Sequence, residues 1–313
     1  MSEDHWVSRF LFKPFLTKGQ VWAYNKANQR RIRRPVKKIC CEEGFTTFPN
    51  DQMPQDIDGR FFETELSKWE NQQSRIINKL IRGRTIDAIN PEEFWELVRF
   101  AVWLHACNPA NRAMLQQGWK DIHLAKAKLL SGDELDKISL QQYGILLPHH
   151  FLRNQVEKAC GEQKLLQSEF LGMMLNSAET GFKLVSNEYS WILADYKNID
   201  SVLCTSDRPV LLATDTLEAP VGYGTPQASL YFTLSPDLCL MGRNTGKAKR
   251  FIKKREIVSN QAFVVALNTL MWTKSSQYII ASKDSALPAP GTHIPSYTPK
   301  MFYKGNAMGF LQR

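Results

Sequence analysis

Acidic residues are missing from two stretches of this 313-residue chain. Residues 6–41 carry ten basic side chains and no carboxylate, and Arg243 to Arg255 carries seven more with none. Together these stretches exceed the whole net charge of +9. Localised positive charge attracts polyanions through counterion release. Nucleic acid is therefore the first partner the composition points to, with an acidic partner protein or anionic lipid behind it, and a merely solvated basic surface is the other reading. Long apolar runs are also lacking. None approaches the roughly 18 consecutive residues a membrane span needs, and the opening Met1-Ser-Glu-Asp-His-Trp6 has no basic-then-apolar signal layout. The expectation is a soluble, cytoplasmic protein with no membrane span. The six cysteines form no CxxC pair and mostly sit in apolar segments, as reduced core thiols do, so no zinc cage is expected. The loop Gly222-Tyr-Gly-Thr-Pro226 lacks the spacing of a phosphate-binding loop or dinucleotide fingerprint, which leaves nucleotide cofactors unsupported. Repeats and low-complexity segments are absent.

What remains is an ordinary globular composition, 43% hydrophobic and 23% charged. The layout predicts one α+β domain over 1–313, with a central helical bundle, an N-terminal β-hairpin and a C-terminal mostly antiparallel sheet. Its parts are an N-terminal segment and hairpin (1–60), a helical region (61–186), a sheet region with one helix (187–285) and an irregular tail (286–313). His5 to Leu16 is aromatic enough to dock on the body. Gln20 to Tyr24 and Arg30 to Arg34 read as a hairpin. Phe62, Leu66, Trp69, Ile76, Ile77 and Leu80 recur at helical spacing. Asn90, Pro91, Glu92 and Glu93 announce a capped helix through Cys107. A helix or pair follows over Ala110 to Leu130 with Gly118 as a break, and a long helix over Gln163 to Val185. Trp191 to Tyr196 and Val202 to Thr205 read as consecutive strands, Ser229 to Leu234 and Leu238 to Met241 as two more, Glu256 to Lys274 as a helix and Gln277 to Ala281 as a last strand.

The chemistry-bearing candidates are few. Asp207 follows an apolar strand, where a sheet can present a carboxylate to a cleft. Equally, it can accept backbone N–H bonds in a turn fixed by Pro209. Glu63 and Glu70 stand two helical turns apart on one face, suited to metal or acid/base work, or to pairing with Arg75 or a neighbouring element. Arg30, Arg31, Arg33 and Arg34 form an arginine ladder beside Trp22 and Tyr24, a pattern that suits phosphate contact and base stacking, unless the aromatics pack inward. Lys249, Arg250, Lys253 and Lys254 supply a second basic set. His105 reads as a core histidine. The pair His149-His150 lacks further ligands at metal-site spacing, and Asn268 either bonds nearby backbone or reaches a cleft.

His5-Trp-Val-Ser-Arg-Phe-Leu-Phe-Lys-Pro-Phe15 with Val21-Trp-Ala-Tyr24 is similar to the opening and hairpin of the bacterial domain-of-unknown-function family 4238. Glu63-Thr-Glu-Leu-Ser-Lys-Trp-Glu70 resembles its paired-glutamate helix and Thr205-Ser-Asp-Arg-Pro-Val210 its Thr-Ser-Asp-Asn-Pro-Val step. Asn268 fits the Asn before its final strand. Two departures stand out: Leu104-His-Ala-Cys-Asn-Pro109 replaces the family's Gln-x-x-Arg-Thr-Pro, and Arg208 replaces an Asn. If those polar groups belong to a reaction centre, this member is altered or inactive. The resemblance implies a bacterial cytoplasmic protein, in a mobile-element or phage-defence setting. His5, Glu63, Glu70 and Asp207 are the polar groups inside these motifs. Three carboxylates and an imidazole suit either a divalent metal, Mg or Mn, that activates water against a phosphodiester, or direct acid and base work. The expectation is a nuclease-like enzyme. A non-catalytic nucleic-acid or protein-binding module, and a purely structural role for His5 and Asp207, are the alternatives.

Overall fold

Asn90 begins the most strongly specified helix. Its side chain accepts from the Glu93 N–H while the Glu93 carboxylate accepts from the Asn90 N–H, and Pro91 occupies the first helical position. That helix, Pro91–Ala106, buries nine side chains including Phe94, Phe100 and Trp103. In a computed structural model, which describes residues 3–43, 45, 60–162, 166–214, 221–246 and 252–295, it forms the centre of the molecule. In chain order the helices are α1 (Phe61–Gly83), α2 (Pro91–Ala106), α3 (Pro109–Leu129), α4 (Gly132–Tyr143), α5 (His149–Glu162), α6 (Gln167–Glu188) and α7 (Gln261–Lys274). The strands are β1 (Glu3–His5), β2 (Val21–Asn25), β3 (Arg30–Arg34), β4 (Cys41–Glu43), β5 (Tyr189–Asp195), β6 (Thr205–Ser206), β7 (Val210–Ala213), β8 (Ser229–Ser235), β9 (Leu238–Asn244), β10 (Ile252–Ile257) and β11 (Tyr278–Ala281). Among the described residues, no helix is long and apolar enough to cross a membrane.

The fold is α+β. A five-stranded sheet runs in the order β10-β5-β9-β8-β7, antiparallel except where β10 lies parallel to β5. A four-stranded antiparallel sheet, β3-β2-β11-β6, joins the N-terminal hairpin to the last strand, and β1 pairs with β4. One apolar core links α1, α2 and α6 to the five-stranded sheet and to the N-terminal segment, whose Trp6, Val7, Leu11, Phe12 and Phe15 are buried in it.

Several expectations need correction. Val202 to Thr205 does not form a strand beside Trp191 to Tyr196. The strand shrinks to Thr205–Ser206 and joins the other sheet, because Asn268 takes its neighbours' backbone groups: Cys204 N–H donates to Asn268 Oδ1, and Asn268 Nδ2 donates to the Val202 carbonyl. Glu256 is not helical. It lies in β10, whose pairing with β5 overrides helix propensity until Asn260 caps α7 through the Ala262 N–H. Gly118 breaks nothing; α3 runs through it, and it is buried. The described part of the helix expected from Gln163 starts at Gln167, where the Glu169 carboxylate accepts from the Leu166 N–H. The short strands β1 and β4 went unanticipated, since three-residue strands carry no periodic signal.

Arg84 ends α1 in the left-handed region (φ 53°), where glycine is the usual occupant. Its guanidinium accounts for an arginine at this position. Nε donates to Asp195 Oδ2 at 2.9 Å, and Nη1 to Asp237 Oδ2 at 2.8 Å. Arg255 on β10 donates to the same Asp195 from the other side, Nε at 2.9 Å. Asp195 is fully buried. Burial alone would raise its pKa. The opposing hydrogen bonds from Arg84, the Lys197 N–H and Arg255 outweigh it and hold the carboxyl far below its usual range.

Removing one partner of a buried pair leaves uncompensated charge, so Asp195→Ala lowers the unfolding free energy by about 3 kcal/mol, measured by denaturant titration. Because the folded pKa is depressed, this stabilisation is complete above the ordinary carboxylate value of about 4 and fades as the pH falls below it. The Tm gap between the parent and Asp195→Asn is therefore widest near neutrality and narrows in acid. A constant gap would contradict this.

Candidate active site

The N-terminal segment is pinned against α1 by a buried serine. Ser8, 2% exposed, precedes the 3₁₀ turn Arg9–Phe15 and donates its hydroxyl to Glu70 Oε1 at 2.5 Å. The next residue, Arg9, is exposed and lays its guanidinium against the His5 ring, with Nε 3.2 Å from Nε2 and 3.4 Å from Nδ1. Trp6, between them, points inward and donates its indole N–H to the Asp207 carbonyl at 3.3 Å. On α1, Trp69 packs edge-on against Phe100 of α2 at 5.1 Å, which fixes the rotation of the helix and turns Glu70 toward Ser8. Glu63 shares that helical face two turns away, roughly 10 Å along the axis. Beside it lies an open depression of about 490 Å³ lined by Arg60, Glu63, Thr64, Ser67, Lys68 and Asn71.

Glu70 is electrostatically unusual. Burial raises its pKa, the Ser8 hydrogen bond opposes this, the nearby Glu63 charge raises it further and Arg9 lowers it, leaving it at about 7. Its affinity for a proton is thus lifted toward the neutral range. The Arg9 guanidinium lies within hydrogen-bonding distance of both His5 ring nitrogens. Arg9 thus contacts the His5 ring and acts by its charge on Glu70. Sequence reasoning passed over Ser8 and Arg9. Their signal lay in the spacing His5-Trp-Val-Ser-Arg9, which puts a basic group four residues beyond the imidazole on an acid-free stretch.

The Asp207 carboxylate points elsewhere. It is 1% exposed and accepts from the Ser276 N–H at 2.9 Å and the Gln277 N–H at 2.5 Å, in the turn between α7 and β11. Ser206 bridges both backbone groups of Arg208, which fixes the step. Burial raises the Asp207 pKa, against the hydrogen bonds from Gln277 and Ser276 and the charge of Arg208. Nearby, Lys26 is buried and donates Nζ to the carbonyls of Ser275 and Pro295 at 2.7 and 2.9 Å. Burial lowers its pKa to about 8. The structure therefore places Glu70 under the influence of Ser8, Glu63 and Arg9, links Arg9 to the His5 ring, and leaves Asp207 tied to the sheet by its carboxylate. Among the described residues, no three His, Cys, Asp or Glu side chains are grouped to hold a metal ion. A Mg or Mn ion held jointly by the four sequence candidates does not fit this arrangement.

The arginine ladder divides. Arg30, Arg33 and Arg34 are exposed on the edge strand β3. Arg31 turns back and donates to the carbonyls of Pro288 and Leu287 at 2.8 and 2.9 Å. Arg33 covers the half-buried Trp22 ring at 5.3 Å, while Tyr24 is fully buried and donates to the Thr292 carbonyl. Lys254 pairs with Asp87 at 2.9 Å. Lys249, Arg250 and the Lys253 side chain lie outside the described residues. His105 donates to or accepts from Tyr223 at 2.7 Å, and burial, with the Arg208 charge, lowers its pKa to about 3, so it is neutral at physiological pH. His149 pairs with Asp136 at 2.8 Å.

Asp207→Ala leaves the Ser276 and Gln277 N–H groups without their acceptor and lowers the unfolding free energy by about 3 kcal/mol. Thermal and denaturant unfolding measure this. A variant as stable as the parent would show that the carboxylate does not hold the turn.

No curated protein and no solved structure matches the chain. A family model described as Protein of unknown function (DUF4238) matches residues 3–285, nearly all of the described fold and every residue of the cluster around Glu70. The chain belongs to that family.

Proposed function

We propose that this protein is a nuclease-like enzyme whose reaction centre is the cluster of His5, Arg9 and Glu70, with Glu63 tuning it. The observations that carry this reading are the contact of the Arg9 guanidinium with the His5 ring and the Ser8 hydrogen bond to Glu70, a carboxyl whose pKa burial raises to about 7. Phosphodiester cleavage needs a proton removed from the attacking oxygen, a proton given to the leaving oxygen, and positive charge at the phosphorus between them. His5 removes the first proton, Glu70 supplies the second and Arg9 faces the phosphate. Ser8 orients Glu70 by donating to one carboxyl oxygen, leaving the other to carry the proton. Basic side chains on the same N-terminal stretch draw the polyanion in. Among the described residues Lys18, Arg30, Arg34, Lys37 and Lys38 have no carboxylate partner.

That same basic edge supports a second reading, a non-catalytic module that binds nucleic acid or an acidic protein surface through β3. The two readings separate on variants. In the catalytic reading Glu70→Gln and His5→Ala each lower cleavage of oligonucleotides about 100-fold or more while binding persists. The rate also declines as the pH rises through about 7, because Glu70 must hold its proton to act as acid, with Glu63, Arg9 and His5 as the charged groups around it. Absence of cleavage at any pH would remove it. For the edge strand, replacing Arg30, Arg34, Lys37 and Lys38 together by Ala weakens binding and reduces the slope of log K against log salt by about 3 to 4. An unchanged slope would place the polyanion elsewhere.

A further inference from the structure

We propose that the protein binds a small organic cation, an ammonium group on an apolar body, in a cavity formed by α7, the loop after β5 and the 3₁₀ turn Asp284–Ala286. The inference is independent of the reaction centre, since no residue lining this cavity belongs to the cluster around Glu70. The cavity has a volume of about 270 Å³. At the ~30 Å³ a water occupies in the liquid, that is room for about nine non-hydrogen atoms. Three elements build it. Val264, Val265, Asn268 and Trp272 stand at helical spacing on one face of α7, Asp200 and Val202 come from the loop, and Ala286 ends the turn.

The walls and the polar groups suit opposite ends of one ligand. Val202, Val264, Val265 and Ala286 are apolar, and Trp272, whose indole nitrogen is fully covered, shows the cavity only ring carbons. The one charge among the lining residues is Asp200, which is exposed and makes no hydrogen bond or ion pair with the described residues. No Lys, Arg or His lines the cavity, although the chain as a whole carries a net charge of +9. An anion finds no counter-charge there, and a neutral ligand leaves the carboxylate unused. Asn268 plays both parts that its place in the sequence allows. Its Oδ1 accepts from the Cys204 N–H at 2.8 Å and its Nδ2 donates to the Val202 carbonyl at 2.9 Å, which fixes the loop wall, while the side chain still lines the cavity. An amide oxygen has two acceptor positions, so one remains for an ammonium N–H. The Asp200 carboxylate and the Asn268 oxygen take the charged end, the face of the Trp272 ring attracts the same charge, and the valines cover the apolar body.

The test titrates the full chain with phenethylamine, whose size matches the cavity, beside its neutral counterpart 2-phenylethanol and the anion benzoate. Calorimetry reads the affinity and amide spectra read the place. The expected result is saturable binding of phenethylamine with a Kd of about 1 mM or tighter, shifts at the Asn268 side-chain amide, and binding of the alcohol and of benzoate weaker by about 10-fold or more. Asp200→Asn, at an exposed position, weakens phenethylamine by about 10-fold or more at unchanged melting temperature and leaves 2-phenylethanol as it was. Val265→Trp, which fills the cavity from a position 56% exposed, removes binding of both. Equal affinity for the amine and the alcohol, an amine affinity unmoved by Asp200→Asn or by Val265→Trp, or no saturable binding of the amine would overturn the inference.

Discussion

The arrangement at the candidate site depends on one short hydrogen bond made by a residue with almost no exposed surface, from the Ser8 hydroxyl to the Glu70 carboxyl. A carboxyl taken out of water needs a partner or a proton. Ser8 supplies a partner without supplying charge, so the carboxyl keeps a raised affinity for its proton. The same bond ties the chain between β1 and the 3₁₀ turn to α1, beside Arg9 and its contact with the His5 ring. On the opposite side Trp6 anchors the segment through the Asp207 carbonyl. An arginine or lysine at position 8 would have held Glu70 too, but as an ordinary ion pair with the proton gone.

Asp207 and Asp195 show the other use of a buried acid. Asp195 is surrounded by two guanidinium groups and stays ionised, joining the end of α1 to both β5 and β10. Asp207 meets two backbone N–H groups and joins β6 to the turn before β11. Glu70 differs in having a neutral donor on one side and exposed neighbours, Arg9 and Asn71, on the other. Among these three carboxylates, the surroundings and not the motif decide whether the group is held ionised or holds its proton more tightly.

Much of the fold was legible because its signals are local. The hairpin from Val21 to Arg34, the cap at Asn90 and the apolar stripe of α1 each follow from spacing that a single element dictates. The failures share a cause in distant partners. Glu256 lies in a strand because β5 is its neighbour, and Val202 to Cys204 stays out of a ladder because Asn268, more than 60 residues on, takes its backbone groups. The paired glutamates of α1 were visible as one helical face. That Glu70 meets Ser8 was not, since the two are 62 residues apart and nothing in a serine's local sequence reveals its acceptor. The arginine ladder read correctly as a strand, yet alternation could not say that Arg31 would turn to the carbonyls of Leu287 and Pro288.

The account's central claim is that nucleic acid meets the protein at His5, Arg9 and Glu70 rather than only along β3. Ring and guanidinium resonances of selectively labelled histidine and arginine, followed while an uncleavable 2′-O-methyl RNA is titrated in, address this directly. The account predicts saturable shifts at His5 and Arg9, with the His5 shift lost in Arg9→Ala. Shifts confined to Arg30, Arg33 and Arg34, with His5 and Arg9 unmoved at saturation, would contradict it.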